Sequence, residues 1–220
     1  MKKFKIRASA LGQIMTNDRS GKGMGETAKK YCELWAKEQL YARKKEIQTK
    51  YMDKGLIMED NSIDFLAEKL GLGFVLKNEK FFENDYMTCT PDVITKDLII
   101  DVKNSWDCFT FPLFAKQLEN KDYYWQMQAY MILTGIQKSK LIYVLSDTPI
   151  NLIEKEAFIY ARNNGMECDN ELIEVFKKKM TYTDITDEYK IKIFDIPKDE
   201  VESMIIERVA QCQSYINSLL

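Results

Sequence analysis

The spacing of apolar residues changes twice along this 220-residue chain, and this change limits the fold more than any other feature. Residues 27–47 and 51–70 repeat apolar side chains every three to four positions, which predicts two amphipathic helices. Between residues 74 and 103 the spacing falls to two, which predicts short strands, and residues 122–134 return to the helical spacing. Helices on both sides of a run of strands indicate an α/β domain. The predicted strands cover 74–76, 80–82, 86–94 and 98–103, with a turn at 95–97.

The remaining segments extend this architecture over residues 1–220 as a single domain, because no linker, repeat or low-complexity segment divides the chain. Ser9 precedes an apolar run at 10–15 and is predicted to be the N-cap of a short helix. The polar stretch 16–25 that follows is predicted to be a mobile basic loop. The later elements are predicted as a strand at 140–146, helices at 151–163 and 170–180, a strand at 189–194 and a helix after Pro197.

The amino-acid composition excludes several kinds of catalytic site. The chain contains no histidine, which excludes a Ser-His-Asp triad, a Cys-His dyad and a histidine-ligated zinc ion. Its five cysteines are never closer than 19 residues apart, so they form no CxxC motif and indicate small core residues in a reducing compartment. Catalysis by this chain must therefore use carboxylates, lysine or a metal ion.

The charge is distributed unevenly along the chain. Residues 1–54 contain 14 Lys and Arg against 6 Asp and Glu, a net charge of +8, so the remaining residues carry −10. A basic segment of this kind attracts polyanions such as DNA, so the helical part in 1–54 is predicted to face one. The charged start of the chain is unlike a signal peptide, and no run of roughly 18 apolar residues occurs. We therefore expect an intracellular protein without a membrane anchor.

The most informative segment joins an aspartate to an acid-x-lysine triplet. Asp101 and Lys103 alternate along a predicted strand and therefore share one face, whereas Val102 points into the core. If the preceding strand pairs with this one, Asp92 reaches the same place. Two carboxylates suit a hard divalent cation, and a nearby ammonium can act on the water that the cation activates. This arrangement allows phosphodiester cleavage without histidine.

Two flanking helices add residues in a fixed order. Glu59 closes the segment Gly55-Leu56-Ile57-Met58-Glu59 on the predicted helix before the strands. Gln126 and Tyr130 lie at i and i+4, and so on one face, of the predicted helix after the strands. The chain therefore carries GxxxE, PD, DxK and QxxxY in this order, on a helix, two strands and a helix.

This pattern resembles the PD-(D/E)XK nuclease superfamily and, within it, the lambda exonuclease-like nucleases of phage recombination. The resemblance covers nearly the whole chain and implies a restriction-endonuclease-like core, with a central mixed β-sheet flanked by helices. The segment of about 154–188 is longer than the family pattern and is predicted to be an extra helical segment. The matching positions are Ile6-Arg7-Ala8-Ser9-Ala10 with the loop Arg19-Ser20-Gly21-Lys22, Gly55 to Glu59, Cys89 to Asp92, Asp101 to Lys103, and Tyr124 to Gln128.

The resemblance implies a Mg²⁺-dependent 5′-to-3′ exonuclease, with Mn²⁺ able to substitute. Such an enzyme digests one strand from the end of double-stranded DNA and leaves a 3′ single-stranded overhang for recombination. Enzymes of this type are ring-shaped homotrimers and commonly act with a single-strand annealing protein. If the protein is encoded by a phage, its place is the host cytoplasm, with no membrane partner.

The resemblance also assigns roles to individual residues. It implies that Asp92, Asp101, Glu59 and the Val102 carbonyl bind the metal ion, and that Lys103 activates or orients the water. Gln126 joins this catalytic group. The implied contacts to DNA or to a 5′-phosphate come from Ser9, Arg7, Arg19, Lys22 and Tyr130.

Other interpretations of these residues stay open at this point. Asp92 and Asp101 also suit a turn and a strand end, Glu59 and Gln126 suit a solvated helix face, and Tyr130 suits a core. A structure-specific or restriction-like endonuclease would have the same core, and dependence on free DNA ends separates it from an exonuclease. A catalytically inactive DNA-binding relative is a further alternative. The presence of Asp92, Asp101 and Lys103 together argues against it.

Overall fold

The computed structural model describes residues 2–73 and 75–220. Short strands and long helices alternate along these residues. In chain order the elements are β1 (Ile6–Arg7), a 3₁₀ turn (Ala8–Ala10), α1 (Leu11–Ile14), α2 (Glu26–Tyr41), α3 (Lys50–Lys69), β2 (Phe82–Glu83), β3 (Met87–Cys89), β4 (Val93–Ile94), β5 (Ile99–Asn104), α4 (Lys121–Thr134), β6 (Lys138–Val144), α5 (Ile150–Asn163), α6 (Asn170–Met180), a second 3₁₀ turn (Asp187–Tyr189), β7 (Ile191–Pro197) and α7 (Glu202–Ser218).

The strands form two sheets. The larger sheet has the order β4-β5-β6-β7, in which β5 is parallel to β6 and the two outer pairs are antiparallel. The smaller sheet has the order β1-β3-β2. A mixed sheet flanked by helices confirms the predicted α/β fold class. Because β5 and β6 are parallel, their carboxyl ends lie at the same edge of the sheet.

Strand β5 is buried on both faces, and its side chains alternate between two hydrophobic clusters. Ile99 packs into the cluster that includes Met127 of α4. Ile100 and Val102 pack into the other cluster, together with Leu66 of α3. The alternation places residue 101 on the face that α4 covers, because successive strand residues point to opposite faces.

Several predicted element boundaries are wrong. The helix predicted for 27–47 ends at Tyr41, where Ala42 adopts a left-handed backbone conformation with φ of 49°. In the predicted strand 74–76, Phe74 lies outside the described residues, and Val75 and Leu76 pair with no described strand. The segment predicted as one strand at 86–94 is divided into β3 and β4. The division falls at Thr90-Pro91-Asp92, where proline has no N–H to donate to a strand ladder.

The basic stretch 16–25 is folded rather than an unstructured loop. Asn17 and Met24 form an antiparallel bridge. Between them the carboxylate of Asp18 accepts hydrogen bonds from the backbone N–H groups of Ser20 and Gly23. Ser9 is not an N-cap, because Ala10 holds that position at α1 and no side-chain cap is present there in the described structure.

Arg208 connects this basic hairpin to the C-terminal helix. Its guanidinium is buried and donates to the carbonyls of Ile14 at 2.8 Å and Thr16 at 2.5 Å. It also donates to the side-chain oxygen of Asn17 at 2.5 Å. Helix α7 therefore fixes the base of the hairpin. Among the described residues, no helix has both the length and the apolar character needed to cross a membrane.

Lys54 of α3 is a fully buried lysine that joins two segments at the carboxyl edge of the larger sheet. Its Nζ donates to the carbonyl of Trp106 at 2.9 Å and to the carbonyl of Ser146 at 2.7 Å. Burial lowers the pKa of Lys54 to about 8, although the carboxylates of Asp147 and Asp107 oppose this shift. Because the amine satisfies two carbonyls, its removal would leave buried acceptors without donors.

We predict that Lys54→Met destabilises the fold by about 2–4 kcal/mol, because two buried carbonyls lose their donor. The difference should increase between about pH 8 and the ordinary lysine pKa of 10.5, since the unfolded chain there keeps a proton that folded Lys54 has lost. Urea unfolding at pH 7.5 and pH 9.5 measures both effects. A stability difference that shrinks as pH rises would contradict this account.

Candidate active site

Asp92 and Asp101 lie side by side at the boundary between β4 and β5. The register pairs Val93 with Ile100, so Asp92, the residue before β4, falls beside Asp101. Oδ2 of Asp92 accepts a hydrogen bond of 2.8 Å from the backbone N–H of Val102. The break at Pro91 releases Asp92 from the strand ladder and lets its side chain turn toward β5. The two strands pair as the sequence predicted.

Asp101 is fully buried, and α4 supplies partners for one of its two oxygens. Oδ1 accepts hydrogen bonds from Nε2 of Gln126 at 3.0 Å and from the hydroxyl of Tyr130 at 3.3 Å. Oδ2 lies 2.6 Å from Nζ of Lys103 in an ion pair. The approach of the ammonium does not have hydrogen-bond geometry, and Oδ2 has no other partner among the described residues.

The burial of these charges changes their acid–base behaviour. Burial, reinforced by the negative charge of Asp101, raises the pKa of Asp92 to about 8. Burial alone would lower the pKa of Lys103, but the carboxylates of Asp101 and Asp92 outweigh it and raise that pKa. Burial and the charge of Asp101 also raise the pKa of the Tyr130 hydroxyl. Two acids and one ammonium thus form a strongly coupled group.

The donor set fits a hard divalent cation. Two neighbouring carboxylates, with a buried oxygen of Asp101 that lacks a hydrogen bond, offer the ligands that Mg²⁺ prefers. Within residues 2–73 and 75–220, however, no three acidic or cysteine side chains converge on one point. Glu59 instead pairs with Lys77 at 3.2 Å. Its negative charge nevertheless contributes to the raised pKa of Asp92.

An open cleft of about 340 Å³ gives access to this group. It opens where β5 and β6 end, between the beginnings of α3 and α4. A Cβ added to Gly55 in the cleft wall would meet no described atom within 4 Å, so the space next to this glycine is open. The lining residues are Tyr51, Met52, Gly55, Glu59, Asp92, Val102, Lys103, Asn104, Tyr123 and Tyr143.

Cleft residues that the sequence did not identify lie at the end of β5 and next to Lys103. Oδ1 of Asn104, the last residue of β5, accepts from the hydroxyls of Ser62 at 2.6 Å and Ser146 at 2.8 Å. The ring of Tyr123 lies 5.0 Å from Nζ of Lys103. The only sequence signal for Asn104 was its position directly after the acid-x-lysine triplet.

Four of the five residues expected to contact DNA or a 5′-phosphate lie outside the acidic group, whereas the fifth, Tyr130, is buried and donates to Asp101. Arg7 and Ser9 are exposed, on the segment whose 3₁₀ turn packs against α4. Arg19 and Lys22 are in the hairpin that Arg208 holds. Within the described chain, none of these four residues forms a hydrogen bond with the acidic group. The structure thus joins Asp92, Asp101, Lys103, Gln126 and Tyr130 into one centre.

The fold and the geometry of the site support a nuclease of the lambda exonuclease type, and the solved structures similar to this chain include exonucleases. A phage-related exonuclease from Haemophilus somnus 129PT superposes with a TM-score of 0.82 and 28% identity over 99% of this chain and 96% of its own. The alkaline exonuclease LHK-Exo from Laribacter hongkongensis gives a TM-score of 0.65 at 15% identity, over 98% of this chain and 91% of its own, which shows a shared fold. Neither a protein-family model nor a curated protein sequence matches the chain.

We predict that Asp92→Asn stabilises the metal-free fold at pH 8 by about 1–3 kcal/mol, because the amide removes a buried like charge and still accepts from Val102. The raised pKa of Asp92 means that the wild type loses stability from about pH 4 up to about pH 8, so the advantage of the variant grows over that range. Thermal unfolding in EDTA at several pH values measures it. A less stable variant at pH 8 would contradict the electrostatic description.

Proposed function

We propose that this protein is a Mg²⁺-dependent exonuclease that digests double-stranded DNA from a 5′ end and leaves a 3′ overhang. The observation that carries the proposal is the buried carboxylate of Asp101, with one oxygen lacking a hydrogen bond, next to Asp92 and Lys103, which line an open cleft. A buried acidic pair is costly without a cation to neutralise it. The similarity to the H. somnus phage-related exonuclease supports the same activity.

The metal ligands would be Asp92, Asp101 and the Val102 carbonyl, with Glu59 joining them if it leaves Lys77. A bound Mg²⁺ or Mn²⁺ would supply Lewis-acid polarisation of the scissile phosphate and neutralise its charge. Gln126 and Tyr130 keep the Asp101 carboxylate in position through Oδ1, and Oδ2 lies next to the ammonium of Lys103. They are positioning residues in this proposal.

Lys103 would act directly on the reacting atoms. Its ammonium is close to both aspartates and lies against the Tyr123 ring, which limits the directions in which it can donate. From this position it can orient a water for attack, or donate to a phosphate oxygen on which charge develops. Asn104 and its two serine partners hold the end of β5 and so fix the position of this lysine.

The polarity of digestion would come from the basic N-terminal part. A terminal 5′-phosphate carries more negative charge than an internal phosphodiester, so Arg7, Ser9, Arg19 and Lys22 would favour such an end. The net charge of +8 in residues 1–54 adds general attraction to duplex DNA. A homotrimeric ring around the duplex and a single-strand annealing protein as partner complete the proposal.

The first test concerns the chemical step. Lys103→Ala should reduce duplex digestion by roughly 10²-fold or more, because it removes an electrostatic contribution to the transition state. Binding of the same duplex in EDTA should change little, since the basic surface supplies the affinity. Lys140→Ala, on β6 where Lys140 pairs with Asp195 of β7, is the matched control and should retain activity. Digestion by Lys103→Ala at the wild-type rate would remove this lysine from the mechanism.

The second test separates an exonuclease from an endonuclease. The protein with Mg²⁺ should degrade linear duplex and spare covalently closed circles, and removal of the 5′-phosphate should slow digestion severalfold. Arg7→Ala and Ser9→Ala should reduce the difference between phosphate and hydroxyl ends without changing the Mg²⁺ requirement. Sedimentation should give a closed trimer. A monomer that nicks circles as fast as it degrades linear DNA would instead support the endonuclease alternative.

A further inference from the structure

Two phenylalanines that follow β5 in the chain are almost completely exposed. Phe109 and Phe114 have 93% and 90% of their surface accessible, more than any other large apolar side chain in the described part of the chain. Both lie in the connection from β5 to α4, residues 105–120. Moving an apolar ring out of water lowers the free energy. Two rings that stay exposed to solvent therefore indicate a surface that a ligand covers.

Hydrogen bonds give this connection a defined conformation, in which both rings are exposed to solvent. Oδ1 of Asp107 accepts from the backbone N–H groups of Phe109 at 3.1 Å and Thr110 at 2.8 Å. The hydroxyl of Thr110 in turn accepts from the N–H of Asp107 at 3.0 Å. Between the two exposed rings, Phe111 is buried against Leu145. The exposure of Phe109 and Phe114 thus follows from a defined loop conformation anchored by a third phenylalanine.

The loop is located at the edge of the sheet where the cleft opens. It starts directly after Asn104 and leads to Tyr123, and both of these residues line the cleft. Its anchor packs against Leu145, which follows the carboxyl end of β6. Nζ of Lys192 also binds the carbonyl of Leu113 at 3.2 Å and ties the loop to β7. Phe109 is only five residues from Asn104, which limits the distance between them to roughly 18 Å.

From this placement we propose that Phe109 and Phe114 stack on the bases of the DNA end whose backbone occupies the cleft; this inference rests on the proposed function. A phenyl ring can stack on any base, which suits an enzyme that must digest every sequence it meets. The exposed polar neighbours Thr110 and Lys116 interrupt the apolar surface. Isolated rings among polar residues fit insertion against bases better than a continuous apolar protein interface.

The test uses a double variant, Phe109→Leu with Phe114→Leu, which keeps apolar volume but removes the aromatic faces. Phe158→Leu, an exposed phenylalanine of α5, is the matched control. Each protein is assayed with Mg²⁺ on a 5′-phosphorylated duplex and on the same duplex with abasic sites at its last three positions. On the normal end, the double variant should have a kcat/KM lower by roughly five- to hundredfold. On the abasic end, it should match the wild type, because the stacking partner is absent.

Three results would overturn the inference. The first is an unchanged kcat/KM for the double variant, and the second is an equal defect of that variant on the normal and abasic ends. The third is that the wild type sediments as an oligomer and the double variant as its dissociated subunits. The last result would assign the rings to a subunit interface. If the wild type itself digests no DNA, the proposed nuclease function fails separately. Fluorescence anisotropy in EDTA with the same two duplexes then still tests stacking, since only the normal end should bind the wild type more tightly than the double variant.

Discussion

The burial of the Asp101 carboxylate is the constraint on which the rest of the site depends. A negative charge without access to water requires partners, and two elements supply them. Helix α4 contributes two hydrogen bonds to one oxygen, and β5 itself contributes the ammonium of Lys103 next to the other. When the neighbouring Asp92 ionises, it adds a second negative charge, which increases the electrostatic cost instead of reducing it. The arrangement stores unfavourable electrostatic energy that a divalent cation can relieve.

The sheet topology explains how these groups meet. The parallel pairing of β5 with β6 brings two strand ends to one edge, and the antiparallel pairing with β4 brings Asp92 to the same edge. Chain connections at this edge are free to carry functional groups, because their backbone is not needed for the ladder. The cleft, the buried Lys54 and the loop with exposed phenylalanines all lie along it.

Apolar periodicity predicted the fold class, and strand alternation predicted that Asp101 and Lys103 share a face. Both features repeat locally, so a single sequence reveals them. The division of the strand at Pro91 was missed because the flanking residues have high strand propensity. Lys54 and Arg208 were missed because most of their partners are backbone carbonyls. These carbonyls lie 52 and 92 residues away for Lys54, and 192 and 194 residues away for Arg208. Carbonyls carry no residue identity, so no motif marks such contacts. The pairing of Glu59 with Lys77 likewise depends on the path of the chain after α3.

The contact of Arg208 with the hairpin at 16–25 has a consequence for the order of folding. Its hydrogen bonds join positions 191 to 194 residues apart. During synthesis the N-terminal segment leaves the ribosome first. The hairpin can therefore contact Arg208 only after most of the chain has been made. Closing so long a loop makes this contact a late event in folding. The nascent chain can therefore assemble its acidic centre before the surface around Arg19 and Lys22 is fixed.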